Sequence, residues 1–331
     1  MADLKTKYMG LELRSPIIAG SCGLTSDVEK MVEMEKAGVG AVVLKSIFEE
    51  QINEETSGVF KAGYGMGDAY PEAEDYIKTY IRSNTIQKYV ELVRDVKSRL
   101  TIPVIASVNC FGGGEWVSFA RQLEEAGADA LELNVFILPV NEFKESAEVE
   151  NVYFEIVKSI KSQVKIPVAV KISHYFTNLT AFVDKIKAYG ADATTLFNRF
   201  YEPDININTL EMGAASVFST AAELRTTLRW TGILAGKDKK LEISASTGVH
   251  GGEAAVKLLL AGATTVQVCS VLYEKGIHVI EDINNFIGKW MDTKAFKTIG
   301  DYRGMLSYSS IENPDLYERA QFMKYFSNKQ Y

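Results

Sequence analysis

The sequence predicts an α/β fold: a (β/α)8 barrel with loop insertions after its second and sixth strands. Three observations carry that prediction. Short apolar, β-branched runs recur along the chain, longer amphipathic segments lie between them, and those segments end in glycine. Runs without strict period-two polarity suit parallel strands covered by helices.

The predicted strands are, in order, "PIIAGS" from Pro16, "GAVVLKS" from Gly40, "PVIASVN" from Pro103, "ALELNV" from Ala130, "PVAVKIS" from Pro167, "ATTLFN" from Ala193, "LEISAS" from Leu241 and "TTVQVCS" from Thr264. Helical patterns between them include "DVEKMVEMEKAG", "WVSFARQLEEAG", "LTAFVDKIKAYG" and "EAAVKLLLAG". These close on Gly38, Gly127, Gly190 and Gly262, the residue type that most readily makes a left-handed helix stop. About eight such units fill a barrel, and about 250 residues is usual for one. The surplus falls in Ile47–Ser83, in Arg199–Ala215 and in the tail after Lys289. Length alone allows two domains; the pattern is read as one domain over residues 1–331. A doubly wound open sheet is the alternative.

The 331 residues are 47% hydrophobic and 24% charged, enough for a full core. A net charge of −7 argues against a nucleic-acid or anionic-membrane partner. Three cysteines, Cys22, Cys110 and Cys269, without a CxxC pair, argue against a disulfide framework, a zinc site or an iron–sulfur cluster. The start "MADLKTKYMGLELRSP" has no apolar h-region, and no run is long enough to span a bilayer. The expectation is a cytoplasmic protein with a small-molecule substrate and no metal.

In a barrel, the carboxyl ends of the strands face the active site. Those ends read Ser21, Lys45-Ser46, Asn109, Asn134, Lys171-Ser173, Asn198, Ser246-Thr247-Gly248 and Cys269-Ser270. Lys45 and Lys171 end apolar strands, where a lysine is either a rim residue reaching water or a fixed cation beside an electron-rich group. "STGVHGGEAAVKLLLAG" and Cys269-Ser270 put Ser, Thr and Gly where barrels cradle phosphate, although a plain βα turn also reads this way. Phosphate at one corner, amides across the mouth and two lysines suit a flavin mononucleotide (FMN). A cation, Lys171, would stabilise the negative charge that a flavin gains with a hydride. Other phosphorylated ligands satisfy the same pattern. The chain has neither GxGxxG after an opening strand nor GxxxxGK[ST], which leaves a Rossmann site and a P-loop unsupported.

The order and spacing of "PIIAGS", "VVLKS", "ELN", "VAVKIS" with "YF", "FN", "STGVHGGEAAVKLLLAGATTVQV" and "GDYRGM" resemble the dihydroorotate dehydrogenases, specifically their soluble class 1. The chain is also similar to the FMN domain of dihydropyrimidine dehydrogenases. The resemblance implies an FMN-dependent dehydrogenase acting on CH–CH groups, converting dihydroorotate to orotate in pyrimidine biosynthesis, and by analogy a homodimer. It implies that Gly20 and Ser21 contact the flavin, that Lys45 touches its ring and that Lys171 faces the N1–O2 edge. Asn134 and Asn198 would lie between flavin and substrate, while Thr247, Gly248, Cys269 and Ser270 surround the phosphate. Ser46 and Asn109 complete the cofactor set, and Lys45, Asn134 and Lys171 are the catalytic expectations. Met66 and Gly67 match the substrate loop, where Tyr64 replaces an expected Asn.

Two further positions depart from the pattern. The family's "ELN" strand runs into a loop whose Cys or Ser is the base; here "ELNVFILPVNEF" puts Ile137 there. Arg199 follows Asn198, where the family usually has Ser or Thr. His174 is one replacement base, or a solvated loop histidine; Cys110 is another. Cys22 is read as packing, and His250 and His278 are assigned nothing. The alternatives are an FMN enzyme of the same fold with a different small substrate, and a non-catalytic flavoprotein.

Overall fold

The computed structural model describes residues 2–48, 71–109, 113–199 and 202–318. Eight strands carry the architecture: β1 (Ile17–Ala19), β2 (Ala41–Val43), β3 (Val104–Asn109), β4 (Ala130–Asn134), β5 (Val168–Ile172), β6 (Ala193–Leu196), β7 (Ile243–Ala245) and β8 (Thr265–Val268). Each pairs in parallel with the next. β8 then returns to β1 through Val266↔Ile17 and Val268↔Ala19. The sheet is closed, so the open doubly wound alternative, which would leave two edges, does not apply. All eight strands fall within the predicted runs.

The helices that follow these strands are α1 (Val28–Lys36), α2 (Pro71–Arg99), α3 (Gly113–Glu125), α4 (Ser146–Lys161), α5 (Leu179–Ala188), α6 (Leu224–Lys237), α7 (Gly252–Ala261) and α8 (Ser270–Lys275), with α9 (Val279–Thr293) beyond. Their ends follow from local chemistry. At α1 the Asp27 carboxylate accepts from the Glu29 and Lys30 N–H groups at 2.9 and 3.2 Å, and Met31 and Met34 are its buried residues. At α7 the chain stops on Gly262 with φ +119°, whose N–H donates to the Leu258 and Leu259 carbonyls.

The apolar residues form two layers. One lies between strands and helices; the other fills the lower barrel with Ile18, Ala41, Val43, Ile105, Ala130, Ala169 and Ala193. Alanines on β2, β4, β5 and β6 leave space that Tyr8, Met9 and Leu13 occupy. These come from a hairpin, Thr6–Tyr8 with Leu11–Leu13, turning through Met9 and Gly10 at φ +52° and +78°. The hairpin is absent from the sequence expectations, in which residues 1–15 have no element.

The insertions differ in detail from their expected bounds. After β2, Ile47–Phe48 pairs with β3, and α2 begins at Pro71, so Pro71–Ser83 is helix rather than loop. After β6, Pro203–Asn206 and Glu211–Ala214 form an antiparallel hairpin within the expected segment. The tail starts later than expected, since α9 runs through Lys289 to Thr293. It then folds back, with buried Tyr302 edge-on to Trp290 at 4.9 Å. No helix among the described residues is long and apolar enough to cross a membrane.

Candidate active site

Strand register gathers polar side chains at one end of the barrel. Asn109, Asn134, Lys171 and Thr195 are successive partners across β3, β4, β5 and β6. A cavity of about 430 Å³ opens there, within the range of small-ligand sites. Of the expected residues, Ser21, Lys171, Asn198, Thr247, Gly248, Cys269 and Ser270 line it. Gly20, Lys45, Ser46, Asn109 and Asn134 are not among its lining residues. Gly20 approaches Cys269 so closely that a Cβ would stand 2.6 Å from the sulfur. Ser46 bonds to Ser21, Asn134 bonds to Asn198, and Lys45 is half-buried at the end of β2. Met66, Gly67 and Cys110 lie outside the described residues.

Three hydroxyls tie the first strands together. Ser46 N–H donates to Ser21 Oγ at 2.9 Å, and the Ser46 and Ser107 hydroxyls are 2.6 Å apart. Tyr89 from α2 locks Ser107 from behind, donating to its carbonyl and accepting from its N–H. Across the barrel, Asn198 Nδ2 donates to Asn134 Oδ1 at 2.7 Å. Lys171 is buried and donates to Gln267 Oε1 at 3.3 Å, with Glu132 Oε1 3.6 Å from its ammonium. Among the described residues the buried Asn109 Oδ1 has no partner.

The opposite corner is built from backbone. Thr247 and Gly248 both take positive φ, +78° and +79°, and a Cβ on Gly248 would stand 2.3 Å from the Leu224 nitrogen. Only glycine lets the turn after β7 sit against the start of α6. Thr247 Oγ1 donates to the Phe197 carbonyl, and Thr227 Oγ1 to that of Ser246. Ser219 N–H donates to Ser270 Oγ, and the Ser219 hydroxyl stands 3.2 Å from His250 Nε2, whose Nδ1 stands 3.0 Å from Glu274. The donors fit FMN. The hydroxyls of Ser219, Thr247 and Ser270 and the Gly248 turn line the cavity together with the Lys171 cation and Asn198, a donor set suited to a phosphate and an electron-rich ring.

Part of the wall is legible only in three dimensions. Val217, Phe218 and Ser219 form a strap over the cavity, with Phe218 packed on Tyr273 at 5.2 Å. The local signal was weak: a Ser-rich stretch after the β6 insertion. Cys22, expected to be packing, lines the cavity. The Cys269 thiol beside it, with the Leu24 and Thr25 N–H groups and the Tyr273 hydroxyl, outweighs burial and holds the Cys22 thiol below its usual range. Cys22 and burial push Cys269 the other way. His250 also acquires partners that its sequence position did not suggest.

The departures have structural consequences. Ile137 is half-buried against the core, and its N–H donates to the Tyr153 hydroxyl at 3.2 Å. Burial pushes Tyr153 up to about 12, so it anchors the loop as a neutral phenol. Farther along, Val140 and Phe143 are exposed. His174 is exposed, stacks on Tyr175 at 4.3 Å and meets cavity-lining Phe197 at 5.8 Å; partial burial pushes its imidazole down, opposed by Glu202. Arg199 lines the cavity, bonded to Glu223 at 2.8 Å and to the Ser216 and Val217 carbonyls. The guanidinium therefore fastens the strap.

Relatives extend over nearly the whole chain. The catalytic subunit of a dihydroorotate dehydrogenase B (NAD(+)) from Thermoplasma acidophilum is 29% identical over 311 residues, covering 92% of this chain and 99% of its own. Proteins of the same description from Methanosarcina acetivorans and Pyrococcus horikoshii are 27% and 26% identical, covering 89% and 91% of this chain and 94% and 97% of their own. The dihydroorotate dehydrogenase family model matches residues 3–291. The chain belongs to the dihydroorotate dehydrogenase family, whose enzymes are FMN-dependent oxidoreductases acting on CH–CH groups.

Proposed function

We propose that this chain is a single-domain FMN enzyme, spanning residues 1–331, that oxidises dihydroorotate or a closely similar cyclic amide. The observation that carries the reading is the convergence of Lys171, Asn134 and Asn198 on one side of the cavity with the Thr247–Gly248 and Cys269–Ser270 corner on the other. FMN, when bound, supplies the hydride acceptor. Gly20, Ser21, Ser46, Asn109, Thr247, Gly248, Cys269 and Ser270 hold it, Lys45 and Lys171 place positive charge at its ring, and Asn134 and Asn198 orient the substrate. The relatives' NAD(+) description supports a partner that passes electrons onward.

Ile137 and Arg199 favour a second reading, in which the same flavin site serves a different small substrate. Steady-state turnover of dihydroorotate with fumarate, quinone or NAD as acceptor separates the two. Cofactor released by heat and identified by chromatography should be FMN; FAD, or protein with no affinity for added FMN, rejects both.

Self-association is part of the proposal. Ile205, Ile207, Leu210 and Met212, all exposed on the hairpin after β6, support a homodimer through that element, because a contiguous exposed apolar patch marks an interaction surface. A monomer in sedimentation at micromolar concentration rejects it. The acidic chain, with no membrane-length helix among its described residues, supports a cytoplasmic location.

A further inference from the structure

One charged side chain lies beneath the cavity and outside the expected site. Glu132, in the middle of β4, is 1% exposed. Its Oε2 accepts from Gln267 Nε2 at 2.7 Å and from Thr195 Oγ1 at 2.9 Å. Among the described residues its Oε1 has no hydrogen-bond partner, but it faces the Lys171 ammonium at 3.6 Å. Gln267 closes the circuit, accepting from Lys171 through one amide atom while donating to Glu132 through the other.

This arrangement is not explained by stability. A buried ion pair pays desolvation on both charges, and an apolar pair of similar volume commonly does as well. The layer below is built of alanine, valine and isoleucine with Tyr8, Met9 and Leu13, so the barrel interior accepts largely apolar filling. The circuit instead fixes direction. Lys171 carries three N–H donors, and its contacts below lie at long distances, leaving donor capacity for the cavity it lines. The carboxylate and amide beneath hold a flexible four-carbon stem in one place.

We propose that Glu132, through Gln267, is the positioning residue that aims the Lys171 ammonium at the flavin. The proposal rests on the reading that Lys171 is the cation at the flavin ring. Glu132 itself touches no substrate. Its role is to make Lys171 meet the ring at the place where negative charge develops.

Sulfite tests this without turnover. It adds to a bound flavin and leaves negative charge on the N1 side, so its dissociation constant reads the cation beside that edge. The FMN-loaded protein should bind sulfite at least about tenfold more weakly as Glu132→Gln, in keeping with losing the charged acceptor that holds Gln267. Glu132→Asp keeps the charge but is too short to hold the circuit, and should stay weak. Lys171→Met should also be weak. Unchanged or tighter sulfite binding in Glu132→Gln, or full recovery in Glu132→Asp, overturns the positioning role, because loss of a mere background negative charge would tighten the adduct. Normal binding in Lys171→Met rejects the reading of Lys171, and the proposal with it. Should Glu132→Gln fail to fold, Gln267→Leu breaks the bridge and leaves both charges; wild-type sulfite affinity there overturns the proposal.

Discussion

The side-chain amide of Asn198 donates to that of Asn134 at 2.7 Å, joining the ends of β6 and β4 over the intervening β5. The bond sorts the remaining atoms of each amide. Asn134 keeps its two N–H donors for a ligand, and Asn198 keeps its carbonyl as an acceptor. A bound cyclic amide with both donors and acceptors meets complementary groups here.

The first prediction follows from that pairing. Asn134→Ala and Asn198→Ala should each weaken FMN or substrate binding by about two- to tenfold, the range for a side-chain hydrogen bond. The double variant should lose little more than the worse single one, because each change already breaks the shared bond. Titration of all three variants checks this, and full additivity contradicts the coupling.

Tyr8 is the second test. Its ring fills the lower barrel against three alanines from β4, β5 and β6. Tyr8→Ala should cost about 3–5 kcal/mol of stability, as large aromatic truncations in cores do. The cavity lies at the other end of the barrel, so FMN affinity well below the melting temperature should change little. Denaturant unfolding and flavin titration measure the two effects separately.

Cys22 carries the third. Its thiol is held below the usual range, so the thiolate persists at lower pH than for an ordinary cysteine. Alkylation should therefore be rapid at neutral pH, and its rate should fall off only at a pH below the ordinary thiol range. Because Cys22 lines the cavity, bound FMN should protect it. Cys269→Ala should move the rate profile back toward alkaline pH by removing the neighbouring donor. Mass spectrometry of timed iodoacetamide reactions gives the profile.

The barrel was legible because each strand is a short run of β-branched residues, and each strand end is a single polar residue set after apolar ones. Alternation along β4 and β5 brings Asn134 and Lys171 to one row, which is readable from spacing alone. The contact between Asn134 and Asn198 was not, since it spans a strand that the chain inserts between them. Glu132 carries no expectation from the sequence, and its contact with Lys171 is seen only in the fold. The N-terminal hairpin escaped because its strands are three residues each, too short for a period to register. The Ser219–His250–Glu274 chain joins three segments and has no local signature.

The last prediction concerns Ile137. The loop after β4 is held by Tyr153 and by apolar packing, so Ile137 is fixed in its place against the core and has no atom that can take a proton. If dihydroorotate binds, the bound flavin should be reduced slowly at every pH at which the fold survives. A general base typically contributes about 10²–10⁴-fold, which sets the size of the deficit. Ile137→Cys or Ile137→Ser should recover part of it, limited by a loop whose backbone is already committed to Tyr153. Anaerobic stopped-flow reduction is the measurement. Fast reduction in the parent that His174→Ala abolishes would place the base beside Phe197, where partial burial pushes the imidazole below its ordinary range. Fast reduction abolished by Cys110→Ala would place it after β3. Either result would mean that the proton leaves by another route and that Ile137 does not disable the site.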